Sequence, residues 1–207
     1  MTRDDVRQPI IVADAGPLIR LAAAGLLATM SSLNRRIVLV DRVRDEVVGD
    51  LTKPFAQDIA TWIVATGAAI QNERTAIGIG VDTLKAKART PEEDAILKSA
   101  LRDSGELALR EFLDRWRPPH AGSALVVYED RKVPGLMIGS DYPLTIMTTR
   151  TFVRIIQGWG INANAVAALE AIKDRYDLKP ALITEVDPAV PEDLRQLPQP
   201  FAADPKP

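Results

Sequence analysis

Ile10-Ile11-Val12-Ala13-Asp14-Ala15-Gly16-Pro17 is the stretch on which the reading of the fold turns. Pro9 and the apolar run after it have the composition of a short buried strand, and that run stops at a carboxylate. Proline at a first helical position then opens a helix from Leu18 to about Leu33, with Leu18, Leu21 and Leu26 available for packing. Working outward, Arg36-Ile37-Val38-Leu39-Val40 reads as a second strand. Asp41 is placed to cap a short helix through Val48, and Gly49 to stop it. This β-α-β-α order predicts a parallel sheet with helices on its faces.

The same pattern continues. Pro54 to Ala65 reads as an amphipathic helix and Ala68 to Asn72 as a short strand or extended connection. Thr90-Pro91-Glu92-Glu93 combines a cap, a first-turn proline and early acids, so a helix is expected to about Leu101. Asp103 or Ser104 can cap the next, which reaches Trp116. Ala124 to Tyr128 and Leu144 to Thr148 are strand-like, a helix follows from Thr149 to about Gln157, and Asn164 to Tyr176 is the last. Residues 180–207 hold Pro180, Pro188, Pro191, Pro198, Pro200, Pro205 and Pro207, a spacing that defeats regular structure. The expected organisation is therefore one domain over 1–179 and a proline-rich tail over 180–207.

Composition narrows the chemistry. A chain of 207 residues with 46% hydrophobic and 26% charged residues can bury a sizeable core. It has no cysteine, which removes thiol nucleophiles, disulfides and cysteine–zinc sites. Its one histidine, His120, sits in the loop-like Arg117-Pro118-Pro119-His120 and reads as a solvated side chain. Enzymatic chemistry would thus fall to carboxylates. A net charge of −2 gives no broad basic surface, although local patches are invisible to a sum. Met1 to Gln8 mix acids and bases, and no run reaches the ~20 apolar residues of a membrane span, so a soluble cytoplasmic protein away from membranes is expected.

In a parallel sheet a ligand site lies beyond the carboxyl ends of the strands. Asp14 ends the first strand, Glu129 and Asp130 follow Tyr128, and Thr148 and Thr149 end the last. Each has a plain alternative, since Asp14 also suits a helix cap and Glu129 and Asp130 also suit a turn. Glu46 lies on the helix after the second strand, with Asp45 beside it on another face. Asp103 and Glu106, three apart, share a helical side. Glu46 could equally be a surface charge, and Glu106 a first-turn acid favoured by the helix dipole.

Taken together, the stretches IIVADAGPLIRLAAAGLL, VDRVRDEVV, DSGELALREFL, VVYEDRKV and LTIMTTRTFVRIIQGWGIN resemble the PIN-domain nucleases, in particular the VapC-type toxins of bacterial toxin–antitoxin pairs. The matches run from about Ile10 to Asn162. The resemblance implies a three-layer α/β/α fold around a central, mostly parallel sheet. It also implies four acids at the active site: Asp14, Glu46, Glu106, and Asp130 or its neighbour Glu129. The family usually shows an aspartate pair where this chain has Glu129-Asp130. Asp103 could support the third acid, and Thr148 and Thr149 match positions that offer a hydroxyl near the metal.

Such acids suit Mg²⁺ or Mn²⁺, hard cations that keep several waters and bind through few carboxylates. The implied activity is metal-dependent hydrolysis of RNA phosphodiesters, and the implied partners are an antitoxin protein and a second copy of the chain. Arg20, Arg131, Lys132 and Arg150 are candidate phosphate contacts, while Trp62 and Trp159 read as core or interface residues. Two other readings compete. One is a catalytically inactive PIN-like module that binds RNA or a partner protein. The other is a doubly wound nucleotide-binding domain, disfavoured because Asp14-Ala15-Gly16-Pro17 lacks the glycine-rich phosphate turn.

Overall fold

A computed structural model describes residues 9–116, 123–129, 133 and 144–175 (173–175 as backbone). Strand β1 (Ile10–Ala13) is followed by helices α1 (Ala15–Ala23) and α2 (Leu27–Ser31), and β2 (Arg36–Val40) by α3 (Asp41–Val48) and α4 (Ala56–Thr66). A 3₁₀ turn at Gly67–Ala69 leads into β3 (Ile70–Glu73), then α5 (Ala76–Lys87), α6 (Pro91–Leu101) and α7 (Ser104–Arg115). β4 (Ala124–Tyr128), β5 (Leu144–Thr148), α8 (Thr149–Gly158) and α9 (Ala165–Arg175) complete the described elements.

The strands form one five-stranded sheet in the order β3-β2-β1-β4-β5, and every described pairing is parallel. Helices flank it in a three-layer α/β/α arrangement. The chain builds outward from β1 to β2 and β3, then crosses back to set β4 on the other side of β1. Right-handed crossovers place the helices of these two legs on opposite faces. The reversal leaves a crevice at the carboxyl ends of β1 and β4, where open α/β sheets hold their ligands. All four residues of β1 and all five of β4 are buried, as a strand covered on both faces requires. One apolar cluster runs from Ile10 to Ile172 and joins both legs. Trp62 lies within it, its Nε1 donating to Ser31 Oγ at 2.8 Å, and Trp159 packs at its edge.

Several elements differ from the sequence expectation, each for a local reason. The long first helix is two helices. Gly25 sits at φ 68°, Gly25 N donates to Ala22 O at 3.0 Å and Leu26 N to Leu21 O at 2.7 Å, a Schellman termination that ends α1. Pro17 falls in the first turn rather than at its first position. Asp41 does not cap α3 but is its first residue. Its carboxylate instead accepts from Thr75 N at 2.9 Å and Thr75 Oγ1 at 2.8 Å. That contact helps build α5, a helix the sequence did not suggest because Gly78 and Gly80 weaken it and Ile77, Ile79 and Val81 are β-branched. Thr75 caps it through Gly78 N at 2.9 Å, and Glu111 accepts from Ala76 N at 2.8 Å and Ile77 N at 3.0 Å. Gly78 is needed there, since a Cβ would overlap the Asp41 carboxylate. By contrast, the cap expected at Thr90 forms a full capping box with Glu93. No helix among the described residues is long and apolar enough to cross a membrane.

Candidate functional site

Asp14 continues the β1–β4 ladder, its N–H donating to Val127 O at 3.0 Å, and so stands at the crevice where the strand order reverses. It occupies the N-cap position of α1 with extended backbone, at φ −72° and ψ 168°. An aspartate there ordinarily accepts a first-turn N–H, yet the Asp14 side chain makes no capping hydrogen bond and is 7% exposed. The side chain therefore does not serve as the helix cap that its position suggested.

Two helices bring further acids to that edge. α3 carries Glu46, and α7 begins Ser104-Gly105-Glu106. Arg42, 6% exposed, ties them together. Its Nη1 donates to Asp45 Oδ2 at 2.7 Å and its Nε to Ser104 Oγ at 3.3 Å, while Ser104 Oγ donates to Leu101 O at 3.0 Å. Gly105 then leaves a space that acids fill. A Cβ built on it would lie 3.5 Å from Glu46 Oε2 and 4.0 Å from Asp14 Oδ1. Acids 32 positions apart in sequence thus bring carboxylate oxygens to one glycine on a third element.

The same glycine lines an open cleft of about 650 Å³ with Glu46, Glu106, Asp45, Asp50, Asp103, Arg42, Lys53 and Lys85 among its walls. The cleft is electrostatically loaded. Partial dehydration raises the Glu46 pKa above its usual value, the Glu106 carboxylate raises it further, and Lys53 and Arg42 pull it back. Asp50 has a different task. It accepts from Thr52 N at 3.0 Å and Thr52 Oγ1 at 2.6 Å, and these bonds hold its pKa down. Asp103 lines the cleft at φ 56° without a side-chain cap to α7.

The other half of the carboxyl edge is closed. Glu129 follows β4 with its side chain 10% exposed, and Arg20 Nε lies 3.0 Å from its Oε2. Among the described residues neither Glu129 oxygen accepts a hydrogen bond, and Arg20 meets it as an ion pair. Gly16 makes room for it, since a Cβ there would come within 2.8 Å of Glu129 Cβ. Thr148 caps α8 by accepting from Thr151 N at 3.3 Å, and Thr149 is fully buried with an unpartnered hydroxyl. Arg150 Nη2 lies 3.3 Å from Glu170 Oε1. None of these residues is among the described cleft lining, and neither is Asp14, which touches that lining only through Gly105.

The structure therefore brings together Asp14, Glu46 and the α7 start that carries Glu106, and sets Glu129 against Arg20. Asp130, Arg131, Lys132 and His120 lie outside the described residues. Arg20 and Arg150, candidates for phosphate, face acids of the protein itself. Sequence reasoning missed Arg42, Lys53 and Lys85. Arg42 did leave a trace, since Arg42 and Asp45 are three apart on a helix, whereas Lys53 and Lys85 reach the cleft only through tertiary packing.

As a metal site the donor set is all oxygen, the type that Mg²⁺ and Mn²⁺ prefer. Among the described residues no group of three or more His, Cys, Asp or Glu is drawn close enough to hold an ion. Asp14 and Glu46 provide two carboxylates near Gly105, and Glu106 is a third charge felt by Glu46. Comparison with protein-family models, curated proteins and solved structures finds no match to this chain.

Proposed function

We propose that this chain is a ribonuclease dependent on Mg²⁺ or Mn²⁺, hydrolysing RNA phosphodiesters at the cleft beside Asp14. The observation that carries this reading is the Asp14 carboxylate. It is buried at the switch point of a parallel sheet, does not cap its own helix, and shares the space at Gly105 with Glu46.

Asp14 and Glu46, the two carboxylates that reach Gly105, would begin the cation's ligand set. Glu106 would add charge beside Glu46, and Asp130 would be the remaining acid because Glu129 is matched to Arg20. A bound cation acidifies its water and offsets the charge that grows on the attacking and leaving oxygens. The protein's own part is positioning. Arg42 locks α3 to the start of α7, so Glu46 and Glu106 keep one separation. Gly105 keeps the space between the acids open. Glu46 and Glu106 repel each other, which favours a cation between them and disfavours an empty ionised site. The sequence resemblance extends the proposal to a cytoplasmic toxin of a toxin–antitoxin pair, with an antitoxin protein and a second copy as partners.

The test is cleavage of labelled single-stranded RNA by the full chain and by Asp14→Asn, each with Mg²⁺, Mn²⁺ or EDTA. Metal-dependent cleavage by the wild type alone is expected. Equal rates for the two proteins, or cleavage that survives EDTA, would overturn the mechanism. A folded chain that binds RNA without cutting it would select an inactive binding module.

A further inference from the structure

Carboxylates do not account for the whole cleft. Arg42, Lys53 and Lys85 also line it, and their states differ. Arg42 is buried and matched to Asp45 at 2.7 Å. Lys85 Nζ reaches that same Asp45 oxygen at 3.7 Å, so one carboxylate faces two cations. Lys53 is exposed and forms no ion pair among the described residues, yet lies near enough to Glu46 to lower its pKa. The described lining holds five acids and three bases, and Lys53 and Lys85 are its two exposed ammonium groups.

We propose that Lys53 and Lys85 are the phosphate-binding edge of this cleft, gripping the backbone of single-stranded RNA so that one phosphodiester lies over the acids. The polymer's identity rests on the ribonuclease reading, but the grip itself is a binding property separable from cleavage. A polyanion cannot approach Glu46 and Glu106 unless cations beside them offset the repulsion. Lysine suits this, as a flexible point charge that contacts phosphate without reading bases. Among the described residues no aromatic side chain lines the cleft, which favours contact with phosphate over base stacking. Binding at this edge is therefore tolerant of sequence and steeply dependent on salt.

The experiment is fluorescence anisotropy of a labelled single-stranded RNA of about 12 nucleotides, a length within ordinary single-strand site sizes. It uses the full chain in EDTA across a salt series. Compared with wild type are Lys53→Met, Lys85→Met, the double variant, Lys53→Arg, and Lys98→Met on α6 outside the cleft. Each single loss should weaken binding by about 3- to 10-fold near 0.1 M salt and flatten the log–log salt slope by about 0.7. Lys53→Arg should stay within about twofold of wild type, and Lys98→Met should be unchanged. No binding by wild type, a double variant that binds like wild type, or an equal loss at Lys98 would overturn the proposal. The two readings fail separately. Salt-sensitive binding lost in the double variant, without metal-dependent cleavage, leaves the grip standing and removes the nuclease. Cleavage with KM unchanged in the double variant does the reverse.

Discussion

The β1/β2 side of the sheet's carboxyl edge and its β4/β5 side carry similar side chains in opposite conditions. Asp14 and Glu46 turn toward Gly105 beside an open cleft. Glu129, one residue beyond β4, is pressed against Gly16 and faces Arg20 at 3.0 Å. A carboxylate at a strand end is thus no sign of a site by itself. What distinguishes the two sides is whether the protein supplies the counter-charge. Arg20 supplies it in direct contact on one side, whereas on the other Glu46 meets a second acid whose push exceeds that of either Lys53 or Arg42.

The sharpest way to break this contrast is to neutralise one acid on each side. Asp14→Asn should reduce metal-dependent RNA cleavage by at least about 10²- to 10³-fold, the scale for losing a charge-stabilising group, with the fold retained. Glu129→Gln should leave cleavage per folded molecule near wild type but destabilise the fold by about 1–3 kcal/mol, because a buried ion pair loses its negative member. Paired cleavage assays and urea melts measure both. If Glu129→Gln loses cleavage while keeping stability, the two sides have been assigned the wrong way round.

Two glycines sharpen it on a smaller scale. At Gly16 a Cβ would come within 2.8 Å of Glu129 Cβ and 3.2 Å of its Cγ, so Gly16→Ala should destabilise by about 1–3 kcal/mol. At Gly105 the contacts are ordinary, 3.5 Å to Glu46 Oε2 and 3.8 Å to Val43 Cγ2. In the first turn of α7, Gly105→Ala should therefore stabilise by up to about 1 kcal/mol. Its methyl would nonetheless stand among the carboxylates, and cleavage should fall by about tenfold or more. A Gly105→Ala protein that is both more stable and fully active would show that the space is not used.

These two sides also explain what could be read from the sequence. β1, β2, β4 and β5 are near-continuous apolar runs and declared themselves, as did α6 through its Thr90-Pro91 start. α5 did not, because Asp41 and Glu111 stabilise its start from distant positions. Asp14, Glu46 and Glu106 could be named because strand ends and helix starts have local signatures. The partnership of Glu129 with Arg20 could not, since it depends on α1 lying against the end of β4, with Gly16 making the room. Lys53 and Lys85 likewise gain their significance only from the cleft they share.

The smallest predicted effect tests the charge state of the open side directly. Dehydration, then Glu106, raises the Glu46 pKa above its ordinary value, so the folded chain holds that proton more tightly than the unfolded chain does. The contribution favours the fold below the ordinary glutamate range, near about 4.3, and is lost as pH rises through the raised value. Glu46→Gln removes the titration. In EDTA its Tm should exceed that of wild type at neutral pH, and the difference should shrink as pH falls toward about 4. Calorimetry at several pH values reads both trends. Glu129→Gln is expected to move Tm the other way at neutral pH, because there the charge is matched and its loss removes the buried attraction to Arg20. Two glutamate-to-glutamine changes of opposite sign on one edge would be the thermodynamic form of the contrast. A lower Tm for both would mean that Glu46, too, has its charge compensated within the protein.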